Sequence, residues 1–510
     1  MTEIDYTNAR PLDVHRWSEH PEVNAFIDHV FTDLKSINGN ARISKKLVKV
    51  ILLDLYVAWC ADPGLMLMFS RDNNAYKAGS RYNELHISKK IIGIVEALIA
   101  NGVIGQKLGF NDRVSGIGFQ SRLWASEKLI ALFEKARFNQ FDISHHEDWD
   151  PIVLRNESKD AQEYADTSKT NGMRSILLDY IKILEHTHID IYDLETPVLI
   201  IGDGKKKMRL QINQQDKKVR RIFNNSRWDQ GGRFYGGWWQ RCPKDYRKKI
   251  KFDGIMTAEI DFSGLHIVIL YAQEGINYWA EVNEDPYELH GINDIDPDVD
   301  LRAAAKLLLL TAINSDDTNK TFKAFRSQSA TGSPEKKMTD GQLSAMLHQL
   351  AQKHEPIAHK LASGAGIDLM YVDSQITEKL IEKFTFVYKC PILTVHDSYI
   401  VPFGYDHFLY QEMQAAFEEV TGVKHPVVEH TTEYYDVIEQ EPHPDNPVEL
   451  QHDHYAGPPS QRHLTELELF GKFKGKPLWE DWVLDCSVLR SGPVRFMPSH
   501  QICKNYNAPQ

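Results

Sequence analysis

The sequence predicts an α+β protein, and three features of the chain support that fold class. Two short apolar runs with β-branched residues, which stop at Asp261 and Asp397, predict buried strands. The segment between them, Leu301–Asn314, is rich in Ala and Leu and lacks Gly and Pro, so it predicts a helix. Near the N-terminus, helical patterns over residues 43–59 and 88–101 precede a glycine-rich segment that predicts a β-ribbon.

The two aspartates are candidate metal ligands, although they lie well over a hundred positions apart in the sequence. Hard divalent cations prefer carboxylate oxygen, and a pair of such ions can activate an attacking hydroxyl and neutralise a leaving pyrophosphate. Taken alone, either aspartate is more typical of a strand-end cap or a turn residue. The helix between them makes the catalytic interpretation the stronger one.

One face of that helix suits a nucleoside triphosphate. Arg302, Lys306, Leu310 and Asn314 recur at every fourth position and therefore share a face. The two cations can meet phosphates, Leu310 the base or sugar, and Asn314 the templating end. The alternative is an amphipathic helix with solvated cations.

In this order the three segments resemble the palm and fingers of the single-subunit polymerase superfamily, which includes family A DNA polymerases and phage-type RNA polymerases. Asp261 corresponds to the motif A aspartate, the cationic helix to motif B, and His396-Asp397-Ser398 to motif C. Residues 232–235 (Gly-Arg-Phe-Tyr) and Gln375 match two further features. The resemblance spans residues 230–402 and implies a right-hand polymerase, with an antiparallel palm sheet and helical fingers.

The resemblance implies a role for each matching residue. Two Mg²⁺ ions, with Mn²⁺ as an alternative, would be held by Asp261, Asp397 and the backbone carbonyl at Phe262. Lys306 and Arg302 would bind the triphosphate, and Lys306 would also protonate the departing pyrophosphate. The contacts with template or primer would come from Arg233, Tyr235, Gln375 and His396.

Some positions depart from the family pattern. Leu310 stands where family A has an aromatic residue, and Asn314 stands where both branches have Tyr. His266 occupies the position at which the DNA polymerases keep a Glu that blocks the ribose 2′-hydroxyl. His266 and Asn314 are therefore candidates for sugar discrimination. His-Asp-Ser in motif C is closer to the RNA polymerases, so the choice between deoxyribonucleotides and ribonucleotides stays open.

Basic residues are concentrated just before motif A. Residues 203–251 contain sixteen Lys and Arg against four acids, although the whole chain carries a net charge of −12. Interleaved aromatic residues, Trp228, Phe234, Tyr235, Trp238 and Trp239, suggest stacking surfaces beside phosphate-binding cations. This window predicts the lining of a template or primer channel, with a solvated charge run as the alternative.

The order helix, helix, glycine-rich ribbon over residues 41–135 resembles the winged-helix domains of plasmid and phage replication initiators. Lys89 and Lys90 would then face the major groove, while Lys107 and Arg113 on the wing would touch phosphate. The alternative is a small helical protein-interaction domain. We expect a leader at 1–40, a helical, thumb-like connector at 136–202, palm and fingers at 203–425, and a polar linker with a C-terminal extension at 426–510.

Composition places the chain in a broad class. With 42% hydrophobic and 25% charged residues, the sequence is typical of a soluble globular protein. No apolar run approaches the roughly 20 residues of a membrane span, and the five cysteines are scattered without a Cys-x-x-Cys pair. We therefore expect a cytoplasmic protein without a membrane partner, disulfide framework or cysteine zinc site.

These features together predict a template-directed nucleic-acid polymerase, favouring a DNA polymerase that replicates a phage or plasmid. Its expected partners are a DNA template and primer, nucleoside triphosphates and other replication proteins. A DNA-dependent RNA polymerase or primase is one alternative. A non-catalytic replication initiator or DNA-binding regulator is the other.

Overall fold

The computed structural model describes residues 5–35, 40–112, 117–202, 207–292, 295–424, 428–430 and 458–474. Within these ranges the predicted α+β class is confirmed, with mostly antiparallel strand pairing. The helices are α1 (Pro21–Asp33), α2 (Ala41–Ala61), α3 (Lys90–Ala100), α4 (Glu127–Phe133), α5 (Ser168–Glu185), α6 (Lys244–Arg247), α7 (Leu265–Gln273), α8 (Leu301–Asn314), α9 (Thr318–Gln328), α10 (Asp340–Lys353), α11 (Gly366–Glu382), α12 (Asp406–Thr421) and α13 (Gln461–Lys474).

The strands are short and fall into several sheets. They are β1 (Ala9–Pro11), β2 (Arg16–Trp17), β3 (Met66–Phe69), β4 (Ile104–Lys107), β5 (Phe110–Asp112), β6 (Ile117–Phe119), β7 (Ser121–Ala125), β8 (Ser144–His145), β9 (Ile152–Leu154), β10 (Ile189–Ile191), β11 (Val198–Ile201), β12 (Met208–Gln211), β13 (Arg220–Phe223), β14 (Gly231–Tyr235), β15 (Ile250–Phe252), β16 (Ile255–Phe262), β17 (Leu393–Val395), β18 (Ser398–Pro402) and β19 (Val428–His430).

The largest sheet positions both candidate aspartates. Its order is β10-β15-β16-β18-β17, with every neighbouring pair antiparallel, and β19 pairs with β16 at the end that carries Asp261. All five residues of β18 are buried. The three residues of β17 are also buried, and this continuous burial explains why the second aspartate stands between two apolar runs rather than in an alternating pattern. Helices α7, α11 and α12 belong to the same hydrophobic core as this sheet.

A smaller sheet, β9-β13-β14, lies against α11. Gly232 on β14 has a φ of +77°, and a Cβ there would lie 2.8 Å from Ser374 Oγ and 2.9 Å from a Phe223 ring carbon. Only glycine combines this backbone conformation with such a close approach of α11. Gly232 of the Gly-Arg pair is therefore needed for the packing of β14 against α11, in addition to being part of a candidate motif.

The N-terminal residues form a second hydrophobic core, which runs from Val23 to Ile143. It contains residues of α1 to α4 and of strands β3, β4 and β7 in the sheet β1-β3-β7-β4, and α1 packs into this core although it falls in the predicted leader. The first predicted helix is present as α2, capped by the Asn40 side chain. The second predicted helix, expected over residues 88–101, is present as α3 from Lys90, and Lys89 at its N-cap makes no side-chain cap bond.

The chain after residue 430 contributes one described helix, α13, which docks on the edge of the largest sheet. Arg462 donates to both carboxylate oxygens of Asp190 on β10, at 2.9 and 2.8 Å. Phe470 packs edge-on against Phe141 with ring centroids 5.2 Å apart. The rest of the predicted linker and extension, residues 431–457 and 475–510, lies outside the described residues. None of the described helices combines the length and hydrophobicity that crossing a membrane requires.

Candidate active site

Strand register brings the two aspartates to the same edge of the sheet. Strands β17 and β18 form a hairpin with Val395 opposite Ser398, so His396 and Asp397 are its two turn residues. His396 adopts a φ of 57°, the left-handed conformation that such tight turns require. On the neighbouring strand β16, Asp261 lies opposite Ser398 of β18. The Phe262 amide donates to the Asp397 carbonyl at 3.3 Å, so Asp397 lies directly beside the Asp261-Phe262 step.

The Asp261 carboxylate is electrostatically unusual. Burial, followed by the negative charges of Asp397 and Glu259, raises its pKa to about 7, against a smaller lowering by Lys306 and Lys244. Its Oδ1 atom is buried and, among the described residues, has no hydrogen-bond partner. A carboxylate held beside another acid without a donor has an open ligand position for a cation. The residues present therefore fit a divalent metal ion.

An ion pair between Arg247 and Glu259 stabilises this edge of the sheet. Arg247 on α6 donates through Nη2 to Glu259 Oε1 at 2.7 Å, and the Ser398 hydroxyl donates to the same oxygen at 2.6 Å. The second bond joins β16 to β18 two positions before Asp261 and one position after Asp397. Arg247 and Glu259 were not among the predicted site residues, although Glu259 is part of the first strand run. The shared hydrogen bonds hold the register on which the aspartate geometry depends.

Helix α8 has the predicted face. Arg302, Lys306 and Asn314 are exposed and Leu310 is half-buried, while the opposite side, which includes Leu308 and Leu309, is buried. Lys306 is close enough to Asp261 for its charge to lower the pKa of that carboxyl. The cationic helix therefore faces the aspartates.

The two ends of that face are engaged within the protein. Arg302 donates through Nε to Asp285 Oδ2 at 2.5 Å. Asn314 turns back on its own helix, and its amide donates to the Leu310 carbonyl at 2.7 Å. Of the four predicted nucleotide-binding side chains on α8, Lys306 is the one whose charge lowers the pKa of Asp261.

Tyr287 is a site residue that the sequence did not reveal. It is 5% exposed, and burial, followed by the charge of Asp397, raises its pKa to about 12. Its ring lies 5.4 Å from the Lys306 ammonium and 5.6 Å from the Arg302 guanidinium. It therefore stands between the cationic helix and the aspartates, where an aromatic ring attracts both cations.

A buried network holds Tyr287 in this position. The Tyr287 amide donates to Asp285 Oδ1 at 2.8 Å, and His354 Nε2 lies 2.8 Å from the Pro286 carbonyl. The other ring nitrogen of His354 is 3.0 Å from the Tyr271 hydroxyl on α7. An Asp-Pro pair marks a turn in the sequence, but no spacing links this turn to either aspartate. Only the folded chain could place Tyr287 at the site.

Arg233 anchors a second set of predicted residues. Its Nε donates to Asp373 Oδ2 at 2.6 Å, and its Nη2 lies 2.7 Å from His266 Nε2. Burial, followed by the positive charges of Arg233 and His396, lowers the pKa of His266 to about 3. The His266 ring is therefore neutral at pH 7 and accepts the hydrogen bond from the guanidinium.

Asp373 on α11 is a further residue that the sequence did not reveal. It is 1% exposed, and burial raises its pKa to about 6, with the Arg233 charge acting in the opposite direction and Asp397 adding to the rise. It precedes the Ser374-Gln375 pair that the resemblance singled out. Gln375 and Tyr235 are half-buried, and His396 is exposed at the hairpin turn.

The residues predicted to contact DNA from the winged helix lie away from the two candidate aspartates. Lys89 and Lys90 are exposed at the start of α3, and Lys107 is exposed at the end of β4, with its ammonium 5.2 Å from the Tyr6 ring. These lysines belong to elements of the N-terminal core, whereas Asp261 and Asp397 belong to the other core. Arg113 lies outside the described residues.

Part of the expected basic track is engaged inside the protein, and the structure corrects the stacking role predicted for three of its aromatic residues. At least seven of its cations form ion pairs within the described residues: Arg209, Lys218, Arg221, Arg227, Arg233, Arg247 and Lys249. Trp238 and Trp239 are fully buried and Phe234 is 8% exposed, so these rings are core residues and cannot stack on bases. A local charge count does not register acids that come from distant segments.

No protein-family model and no curated protein matches the chain. Among solved structures, the chain is similar to the POL domain of Pol1 from M. smegmatis in complex with DNA primer-template and dNTP, with a TM-score of 0.25 and 13% sequence identity. The match covers 41% of this chain and 46% of that chain, so it spans less than half of its neighbour's length. At this TM-score the similarity carries no argument about fold or activity.

Proposed function

We propose that the chain is a template-directed nucleotidyltransferase that extends a nucleic-acid strand at Asp261 and Asp397. The observation that carries this proposal is the pairing of β16 with β18, which sets the two aspartates side by side at the sheet edge facing Lys306. The orphaned Asp261 Oδ1 supplies the open ligand position. Two carboxylates that can hold metal ions and an exposed cationic side chain such as Lys306 are the elements that phosphoryl transfer requires.

Asp261 and Asp397 would hold two Mg²⁺ ions, with the backbone carbonyl at Phe262 as a further ligand. When bound, these ions lower the pKa of the attacking hydroxyl and balance the charge that develops on the leaving group. The strong pKa elevation of Asp261 fits this role, because a divalent cation relieves the repulsion from Asp397.

The chain's own side chains orient the nucleotide. Lys306 lies exposed beside Tyr287, so its ammonium can bind the triphosphate and protonate the departing pyrophosphate. Arg302 would exchange Asp285 for phosphate when a nucleotide arrives. Leu310 would contact the base or sugar, and Asn314 the templating end.

The Arg233 network would position the nucleic acid. Arg233 bridges Asp373 and His266 behind the hairpin that carries His396 and Asp397. His396 would orient the primer end, while Gln375 and Tyr235 would contact the template–primer duplex. His266, held neutral by its surroundings, would approach the sugar and take part in choosing between deoxyribose and ribose.

We also propose that the N-terminal core is a winged-helix DNA-binding unit. Helix α3 begins with the exposed Lys89 and Lys90, and the β5-β6 hairpin extends beyond the sheet between β4 and β7. Such a unit would direct the polymerase to one site on a phage or plasmid genome, alone or with other replication proteins.

Primer extension tests the proposal. The wild-type protein is incubated with Mg²⁺, a primed or unprimed DNA template, and either deoxyribonucleotides or ribonucleotides. Asp397→Asn should abolish incorporation, whereas Asp179→Asn, an exposed aspartate paired with Lys182 on α5, should leave it unchanged. Incorporation of ribonucleotides without a primer would identify an RNA polymerase or primase. Site-specific DNA binding without incorporation under any of these conditions would contradict the proposal and identify a non-catalytic initiator.

A further inference from the structure

A buried group of metal-binding side chains lies away from the candidate active site, where α13 meets β10. His188, Asp190 and Glu466 each offer one ligand atom, and these atoms all lie within 4.8 Å of one another. Strand β10 is separated from β16 by β15, so the group belongs to a different part of the sheet from Asp261. No part of the proposed polymerase mechanism uses it.

His188 provides the independent sign of a ligand. Its side chain is fully buried, and within the described ranges neither ring nitrogen has a hydrogen-bond partner. A buried imidazole normally satisfies at least one nitrogen, because leaving a buried polar atom unpaired costs about 1–3 kcal/mol. A metal ion would give one of these nitrogens the partner that the described residues do not supply.

The arrangement of the residues along the chain also suits coordination. His188 and Asp190 are two positions apart at the start of a strand, so their side chains leave the same face. His463 and Glu466 are three positions apart on α13 and share one face of that helix. His463 Nδ1 lies 2.6 Å from Asp190 Oδ2, which is the geometry of a histidine that orients a ligating carboxylate.

We propose that His188, Asp190 and Glu466 form a structural Zn²⁺ site that fastens α13 to the sheet. Imidazole and carboxylate ligands together suit zinc, and water or solvent can complete a four-coordinate shell. The ion would tie a helix from the C-terminal part of the chain to a strand more than 270 positions earlier. Such a cross-link stabilises the docked state because the ion binds only when both elements are together.

Two cations face the proposed site, and both are compatible with it. Arg462 shares the Asp190 oxygens, but a carboxylate has about four lone-pair positions and can accept the guanidinium, His463 and a metal together. Lys217 is fully buried nearby, and its ammonium donates to the Thr187 carbonyl at 2.6 Å, a contact that does not involve the three proposed ligands.

Metal stoichiometry tests this proposal on the untagged full-length protein. The protein is stripped with a chelator, incubated with ZnCl₂, desalted and measured by mass spectrometry for zinc. We expect about one bound ion per chain to survive desalting, because three protein ligands from two packed elements hold it. His188→Gln and Glu466→Gln should each retain less than about a tenth of it, whereas His290→Gln, at an exposed histidine, should retain all of it.

Two further measurements keep the outcome decisive if a variant folds poorly. Co²⁺ added to the stripped wild type should give the visible absorption of a low-coordinate nitrogen and oxygen site, and Zn²⁺ should remove it. Zn²⁺ should also slow proteolytic cleavage between the sheet and α13 in the wild type. If the wild type retains no ion after desalting, or if all variants retain the same amount, the site does not exist.

Discussion

Two aspartates of the same sheet, Asp190 and Asp261, have pKa values shifted in opposite directions, although β15 alone separates their strands. Around Asp190, burial acts to raise the pKa, but the hydrogen bond from His463 and the charge of Arg462 outweigh it, so the pKa is lowered. Around Asp261, burial and the charge of Asp397 both raise the pKa, to about 7. Asp190 accepts hydrogen bonds from Arg462 and His463, whereas Asp261 Oδ1 has no donor among the described residues.

This difference separates a carboxylate whose charge the protein's own donors already balance from one that lacks such donors. Asp190 is fully buried and accepts hydrogen bonds on both oxygens from Arg462. The buried Oδ1 of Asp261 has no partner among the described residues. Strain of this second kind is found where a charged ligand completes the site.

The largest expected effect comes from Asp261→Asn, which separates activity from stability. Primer extension should fall by about 10³-fold or more, because the ligand position for the metal is lost. The free energy of unfolding at pH 8 without metal should rise by about 1 kcal/mol, because the repulsion from Asp397 disappears. Extension kinetics and urea unfolding measure the two quantities. A variant that loses both activity and stability would contradict the comparison.

Asp190→Asn should do the reverse. Removing one partner of a buried ion pair leaves the Arg462 guanidinium with Glu466 as its remaining acidic partner among the described residues, a loss that typically costs about 3 kcal/mol. The free energy of unfolding should fall by that amount, while extension by the folded fraction should be little changed. Urea unfolding of Asp190→Asn beside Asp179→Asn provides the measurement and its surface control. Equal stability of the two variants would show that the Asp190 contacts contribute little.

The pH dependences should also differ in sign. The raised pKa of Asp261 contributes stability that is present below about pH 4 and lost as the pH rises through about 7. The lowered pKa of Asp190 contributes stability that is present at neutral pH and lost on acidification. Extension by the wild type should rise with pH through about 7, because ionised Asp261 binds the metal. A flat extension rate between pH 6 and 8, measured at saturating Mg²⁺ and again at limiting Mg²⁺, would contradict this assignment.

The smallest expected effect concerns Tyr287, which lies between the two cations of α8 and the aspartates. Tyr287→Ala should lower kcat/KM for the incoming nucleotide by about tenfold, because Lys306 and Arg302 lose the ring that positions them. Tyr410→Ala, at an exposed tyrosine of α12, is the matched control. Steady-state kinetics that vary the nucleotide concentration will separate this positioning effect from a change in stability. An unchanged kcat/KM would remove Tyr287 from the site.

Local patterns were sufficient for the elements that carry the aspartates and the cationic face. The residues Leu301–Asn314 form a helix, and Arg302, Lys306 and Asn314 are exposed together because helical periodicity depends on nearest neighbours alone. The strands that end near Asp261 and Asp397 were predicted from their apolar β-branched runs for the same reason. The α+β class follows from these local signals.

Long-range partners decided what the local patterns could not. The basic run before motif A predicted an open track, but some of its cations pair with acids from distant segments, such as Glu378 and Asp193. Trp238 and Trp239 are aromatic in the sequence whether they stack on bases or fill a core, and only the packing distinguishes the two roles. Charge and hydrophobicity are properties of residues, whereas pairing and burial are properties of contacts.

The sequence by itself determined the fold class, the two acidic strand ends and the cationic helix face, because each depends on spacing within a few turns or strand residues. Tertiary structure alone decided that Asp261 meets Asp397, that Tyr287 and Asp373 join them, and that α13 brings Glu466 to His188. Each of these contacts joins segments that are distant in sequence. Their geometry follows from strand register and helix packing, which no local window of residues contains.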